Sequence, residues 1–297
     1  MNSGEGNRNS PRVVCWVLLV CAILAIIPIQ KRIDAARGLY GPIEDVLYMP
    51  SGKVIGSLSL GNEGLLADIY WTRVVQYFGR KRIDKDVRLD LLGSLLRIST
   101  ELDPHLLIAY RFGAIFLASE PPEGAGQPEQ AIELLRHGIV ANPGYWRFWQ
   151  DIGFIYYWDL KDYPRAVKAF TVGSRQPGAL YWMKAVAAMI ASKGGDTRTS
   201  VLLWTQIYQS AENAQMKENA LEHLAAFKAQ DEIETLNQLL RRFREAQGRP
   251  AHSLRELVAA GLLKGVPEDP SGIPYTVGRD GKATLGSQSK VKLRLIL

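Results

Sequence analysis

Cysteine and histidine are scarce in this 297-residue chain, with two and four copies. Cys15 and Cys21 both fall inside one apolar run near the start, so no disulfide framework organises the remainder. His105, His137, His223 and His252 lie far apart, and none has a second His, Cys or carboxylate at metal-ligand spacing with a matching partner elsewhere. No metal and no cofactor is therefore expected. Also missing are the G-x-x-x-x-G-K-[ST] and strand-turn-helix G-x-G-x-x-G phosphate cradles and the G-x-S-x-G nucleophile elbow. Neighbouring carboxylates such as Asp159 with Asp162, or Glu268 with Asp269, sit on loops, where they read as solvated caps. No catalytic residue is assigned, and no small-molecule substrate is expected.

What is present describes a folded chain. Hydrophobic residues make up 47% and charged residues 22%, a balance that excludes a disordered or low-complexity protein. The formal charge is +6, but it is not spread evenly. Residues 1–37 hold five basic and two acidic side chains, residues 264–297 hold six and three, and the 226 between hold 25 of each. A neutral body with basic ends lacks the basic face that a phosphate backbone requires, so nucleic acid is excluded as a partner.

Val13 to Ile29 is an uninterrupted apolar run, VVCWVLLVCAILAIIPI, flanked by Arg12 and by Gln30, Lys31 and Arg32. As a helix its length is roughly 26 Å, close to a hydrocarbon core. The run exceeds a usual signal-peptide core and is followed by no small-x-small cleavage site, so residues 13–30 are expected to anchor the chain in a lipid bilayer behind a short tail, 1–12. Basic residues flank both sides, which leaves orientation open by the charge rule. A body free of cysteine suits an oxidising compartment, and the expectation is a single-pass inner-membrane protein with its body in the periplasm. Residues 31–60, with Gly41-Pro42, Met49-Pro50 and the alternating stretch Lys53 to Leu60, read as a linker carrying at most a short strand.

Self-similarity at a fixed period dominates the next region. Trp149-x2-Ile152-Gly153-x2-Tyr156 is followed by Ala166-x3-Phe170, Gly173 and Pro177. Small residues at Gly153 and Ala166 let two antiparallel helices approach, while Trp149, Tyr156 and Phe170 fill the space around them. Gly113 with Ala131, Leu135 and Pro143 marks a unit before it. Ala187 with Ser200 and Trp204 marks one after, so Ala131, Ala166 and Ser200 are spaced by 35 and 34 residues. Amphipathic segments 63–78 with 84–101, and 213–230 with 231–247, predict further helix pairs at the two ends. The pattern resembles the tetratricopeptide repeat (TPR). That resemblance implies a mainly α fold, an α-solenoid of helix hairpins over 61–247, each burying its apolar face on the next.

From Gly248 the composition changes. Ser253-x-x-Glu256 forms a capping box ahead of a short helix that should stop at Gly261. Thr276-Val277 and Lys282 to Leu285 around Asp280-Gly281 predict a β-hairpin. The stretch from Gly248 to Tyr275, with its Asp269-Pro270-x-Gly272-x-Pro274-Tyr275 segment, is similar to the C-terminal region of type II secretion major pseudopilins. No Phe-Thr-Leu-Ile-Glu type processing signal precedes the apolar run, so pilin function is not carried over, and residues 248–297 read as a cap on the last repeat.

In TPR proteins the inner face is lined by first-helix positions flanking the packing residues. Carried onto this chain, the resemblance implies a partner-binding groove of Tyr110, Arg147, Gln150, Tyr157, Tyr181 and Lys184, a mixed aromatic and polar strip suited to an extended peptide or a helix. The expected function is that of a bacterial, membrane-anchored scaffold or adaptor for a protein or peptide partner, in an envelope, secretion or pilus-type assembly. A hydrolase acting on cell-wall polymers and a minor pilin-like subunit stay open as alternatives.

Overall fold

The computed structural model describes Trp16, Leu24, Ile26, Pro28, Lys31 and Arg32, then residues 51–84 and 88–296. The chain divides into two compact units, Met1–Pro50 and Ser51–Leu297. In the first, the six described residues are helical. The expected anchor over 13–30 lies outside the described residues apart from four of those six, and most of the linker also falls there. Among the described residues no helix is long and apolar enough to cross a membrane.

The second unit is mainly helical, with eleven α-helices and one two-stranded sheet among its described residues. Helix α1 (Gly52–Leu58) replaces the short strand expected from the alternation of Lys53 to Leu60. Ser51 caps it by accepting from the Val54 amide, and Gly52 lies so close to α3 (Leu92–Leu102) that an added Cβ would sit 2.6 Å from Glu101 Cβ. With no strand beside it and a cap at its start, the segment satisfies its backbone internally. Helix α2 (Glu63–Ile83) runs antiparallel to α3, and Ser99 Oγ donates to the Ala67 carbonyl across the pair at 3.1 Å. The second helix of this pair begins at Leu92, eight residues later than its sequence pattern suggested.

Three more hairpins follow: α4 (Leu107–Ala118) with α5 (Pro128–Ala141), α6 (Trp146–Trp158) with α7 (Tyr163–Gly173), and α8 (Trp182–Lys193) with α9 (Thr197–Gln209). Consecutive helices pack on one another throughout, in a repeat-like manner. Asp162 and Asp196 cap α7 and α9 in the same way, each accepting from the amide three residues on at 3.0 Å. Inside the central hairpin Phe170 is fully buried, and a Cβ on Gly153 would lie 2.6 Å from its ring. That contact explains why the sequence has glycine there: the Phe170 ring lies against α6 at a spacing that only a bare Cα permits.

The last pair expected from the sequence is one helix. α10 (Ala214–Gln247) runs unbroken for 34 residues, from an Asn213 cap to left-handed Gly248. Nothing at Gln230-Asp231 interrupts it, because neither glycine nor proline occurs between its ends. Its first half buries Ala220, His223, Ala226 and Phe227. Its second half supplies Ile233, Leu236, Leu240 and Phe243 to a separate core shared with Ala251, Leu254, Leu257, Tyr275 and Ala283. That core holds α11 (Leu254–Ala259) and the expected hairpin, β1 (Thr276–Val277) antiparallel to β2 (Ala283–Thr284). Asn237 accepts from the Ala283 amide at 2.8 Å and Glu232 from the Tyr275 hydroxyl at 2.6 Å, which ties the hairpin to α10. The expected capping box does not form, because its glutamate reaches past the cap's own amide to the residue before it. Glu256 accepts from the His252 amide at 2.9 Å and from Arg249 at 2.7 Å, while Ser253 makes no cap bond.

Candidate functional site

The repeat-like packing defines equivalent positions on the first helices α4, α6 and α8. Two buried glycines on the second helices, Gly138 and Gly173, anchor the register. A Cβ on Gly138 would lie 2.9 Å from the rings of both Tyr110 and Phe148, and one on Gly173 would lie 2.7 Å from Trp149 Cβ and 2.5 Å from Met183 Cε. Tyr110 therefore occupies the place of Trp149, and Met183 that of Phe148. It follows that Ala114 and Ala188, both buried, match Gly153. The sequence reading had aligned Gly113 and Ala187 instead, one residue out of step in each flanking hairpin.

This shift relocates half of the strip. Tyr110 is 2% exposed, edge-on to Phe148 with its hydroxyl 3.5 Å from the Thr100 carbonyl, so it packs the core and offers no surface to a partner. Burial raises the ionisation of that hydroxyl above the ordinary tyrosine value. Lys184 and Gln150 are half-buried. Tyr181 is 60% exposed at the start of α8, and Arg147 is exposed with its guanidinium 4.7 Å from the Trp146 ring centroid. Tyr157, half-buried, accepts from Lys193 Nζ at 2.7 Å, and the ammonium lies 4.9 Å from its ring centroid. The tyrosine oxygen holds the Lys193 ammonium's pKa above its usual value.

In the corrected register the positions matching Arg147, Gln150, Phe154 and Tyr157 are Ile108, Arg111, Ile115 and Ala118 on α4, and Trp182, Ala185, Met189 and Ser192 on α8. The first-helix face is more apolar than the sequence strip suggested, with Ile108, Ile115, Trp158 and Met189 all exposed. Phe154 stacks on Trp158 at 4.4 Å between centroids and meets Phe170 edge-on, so the face has a rigid aromatic base. A cleft of about 390 Å³ opens on it, lined by Phe154, Tyr157, Val186, Met189 and Lys193 from α6 and α8 and by Arg294, Leu295 and Ile296 from the far end of the chain.

One ion pair braces this face. Arg111 on α4 forms a two-pronged bridge to Asp151 on α6, at 2.6 and 3.0 Å. Burial pushes the Asp151 carboxyl above its usual range against the pull of Arg111, while the hydrogen bond to Asp151 raises the arginine. The fork geometry is that of an ionised pair. The sequence strip missed Arg111, Val186, Met189 and Lys193; the 35-residue spacing of Gly138 and Gly173 is the sequence signal that matches Met189 to Phe154 and Lys193 to Trp158, whereas Arg111 and Val186 are found through their contacts and cleft.

Nothing on the face assembles a nucleophile with a base, and among the described residues no group of His, Cys, Asp and Glu could hold a metal ion. The histidines play packing and surface roles. His105 Nδ1 lies 2.9 Å from Asn142 Oδ1, and the Asn142 amide donates to the Pro104 carbonyl at 2.8 Å, which clips two inter-hairpin turns together. His223 is buried and stacked 3.8 Å over Trp204, and burial lowers its pKa. Asp162 is a helix cap, and Asp269 folds a loop by accepting from the amides of Ser271 and Ile273. The face presents apolar, aromatic and basic groups side by side. In comparisons with known proteins no family model matches the sequence, and neither a curated protein nor a solved structure is similar to it at a significant level.

Proposed function

We propose that this protein is a membrane-anchored scaffold of TPR type whose first-helix face, on α4, α6 and α8, captures a segment of a partner protein. The observation that carries the reading is the exposed set Ile108, Ile115, Trp158 and Met189 on the first helices, flanked by Arg147 and Tyr181, together with the cleft that Phe154, Tyr157 and Met189 line beside it. Support for TPR type comes from the Trp149 to Pro177 pattern together with equivalent buried contacts at Gly138 and Gly173. Support for the anchor comes from the apolar run 13–29 and from helical Trp16, Leu24 and Ile26, all exposed. Tethering to an inner membrane, with the body in the periplasm, confines the face to two dimensions and raises the local concentration of partners there.

Two measurements test this. The chain should stay with membranes through alkaline extraction, and deletion of residues 13–30 should release it. A photo-crosslinking residue at Arg147 or Tyr181 in the membrane-embedded chain should yield a discrete protein adduct, whereas Tyr181→Ala with Met189→Asp should abolish the adduct from position 147, and Arg147→Glu with Met189→Asp the one from position 181, at unchanged helix content and melting temperature. An adduct that survives the matching double change, or none at either position, refutes the face.

A further inference from the structure

The segment Lys290–Ile296 alternates lysine or arginine with valine, leucine or isoleucine until its last two positions, and it does not end in its own module. Lys290 and Lys292 lie beside Glu218 and Glu222 of α10, in a separate cleft of about 240 Å³, with Lys292 paired to Glu222. Leu293 packs on the core shared by α10 and the hairpin. Leu295 and Ile296 then reach the first-helix cleft, where the Ile296 carbonyl accepts from Ser192 Oγ at 3.2 Å, a bond between residues 104 apart in sequence.

We propose that Lys290–Ile296, which rests on α10 and walls the first-helix cleft with Arg294, Leu295 and Ile296, is a built-in occupant of that cleft, and that the partner admitted there is a peptide of the same chemistry, basic residues alternating with aliphatic ones, which displaces it. This rests on the scaffold reading above and narrows its partner. Two features select that chemistry: Leu295 and Ile296 share the cleft with Phe154, Val186 and Met189, and on α10, outside that cleft, Lys290 and Lys292 lie beside Glu218 and Glu222 with Lys292 paired to Glu222. Two others make the occupant displaceable. Leu295 and Ile296 are only half-buried, and Ser192 supplies the one hydrogen bond given to Ile296 from the face. A tether giving a local concentration on the order of 1 mM, against an intrinsic Kd of about 100 µM, fills the face about ten to one and weakens an outside peptide by about the same factor.

The probe is a fluorescent peptide with the sequence of residues 289–297, titrated to about 1 mM on the full chain in lipid nanodiscs. Leu295→Asp with Ile296→Asp should release the occupant and tighten peptide binding by about tenfold over the unaltered chain. Adding Met189→Asp should remove that binding, and Glu222→Lys should weaken it. Equal affinity of the released and unaltered chains, or no binding by the released chain, overturns the proposal. A second measurement needs no charge change: a photo-crosslinker at Ile296 should form adducts with α6 or α8 that added peptide suppresses, and adducts confined to α10 or the hairpin overturn it. If these fail while crosslinkers at Arg147 and Tyr181 still capture a protein, the occupant is lost and the scaffold stands; if both fail, both fall.

Discussion

Replacing Gly153 by alanine places a methyl group where three carbons of the Phe170 ring stand 2.6, 2.7 and 3.0 Å away. Phe170 is fully buried, so its ring has no solvent to swing into, and the α6–α7 pair must separate. Overpacking of this kind costs about 1–3 kcal/mol, against which alanine returns up to about 1 kcal/mol of helix propensity. The net expectation is a loss of about 1–2 kcal/mol, a fall in melting temperature of roughly 2–8 °C for a unit of this size. Gly79 in α2 is the control, since nothing stands within 4 Å of its would-be Cβ. Gly79→Ala should stabilise by up to about 1 kcal/mol through the unfolded chain and the helix interior alone. Thermal and urea unfolding of the two variants read the difference directly. Gly153→Ala at or above parental stability, with Gly79→Ala behaving alike, would refute the idea that the Phe170 ring against Gly153 dictates the residue.

Other perturbations address the brace, the buried histidine and the caps. Asp151→Leu strands a charged Arg111 that keeps partial access to water, so a loss of about 1–3 kcal/mol is expected, and adding Arg111→Met should recover most of it; simple additivity in the cycle of Asp151→Leu, Arg111→Met and their combination would deny the coupling. His223 has its pKa lowered from 6.5 in the folded state, so the unfolded chain binds the proton more readily. Stability is then full above about 6.5 and declines as pH falls through that value toward the folded one, and His223→Phe should flatten the melting profile across this window; an unchanged slope excludes the histidine as its cause. Asp162→Ala and Asp196→Ala should each cost about 1 kcal/mol, and any marked disparity between them would break the equivalence of α7 and α9.

Much of the architecture was legible because its determinants are local. Trp149, Gly153, Tyr156, Ala166 and Phe170 recur at helix spacing, and the residues that let two helices meet must be small whatever surrounds them. The hairpin at Thr276–Thr284 was equally readable, since Asp280-Gly281 sets the turn between two short apolar stretches. Register in the flanking hairpins was not. Gly113 and Ala114 are adjacent and both small, as are Ala187 and Ala188, and only their contacts distinguish which one takes the central place. The candidate face inherited that ambiguity, which is why Tyr110 was assigned to it and Met189 was not.

Sequence by itself therefore determined the helical hairpins, their period, the central packing motif and the neutral body bearing a long apolar run. Tertiary structure alone decided that α10 continues through Gln230-Asp231, that Lys53 to Leu58 coils against α3, and that Lys290–Ile296 crosses to the first-helix cleft. The physical reason is range. Hairpin contacts join residues 12 to 32 positions apart and leave a periodic imprint on composition, whereas a bond such as Ser192 to Ile296 spans 104 positions and imposes only that an aliphatic, basic segment be present somewhere.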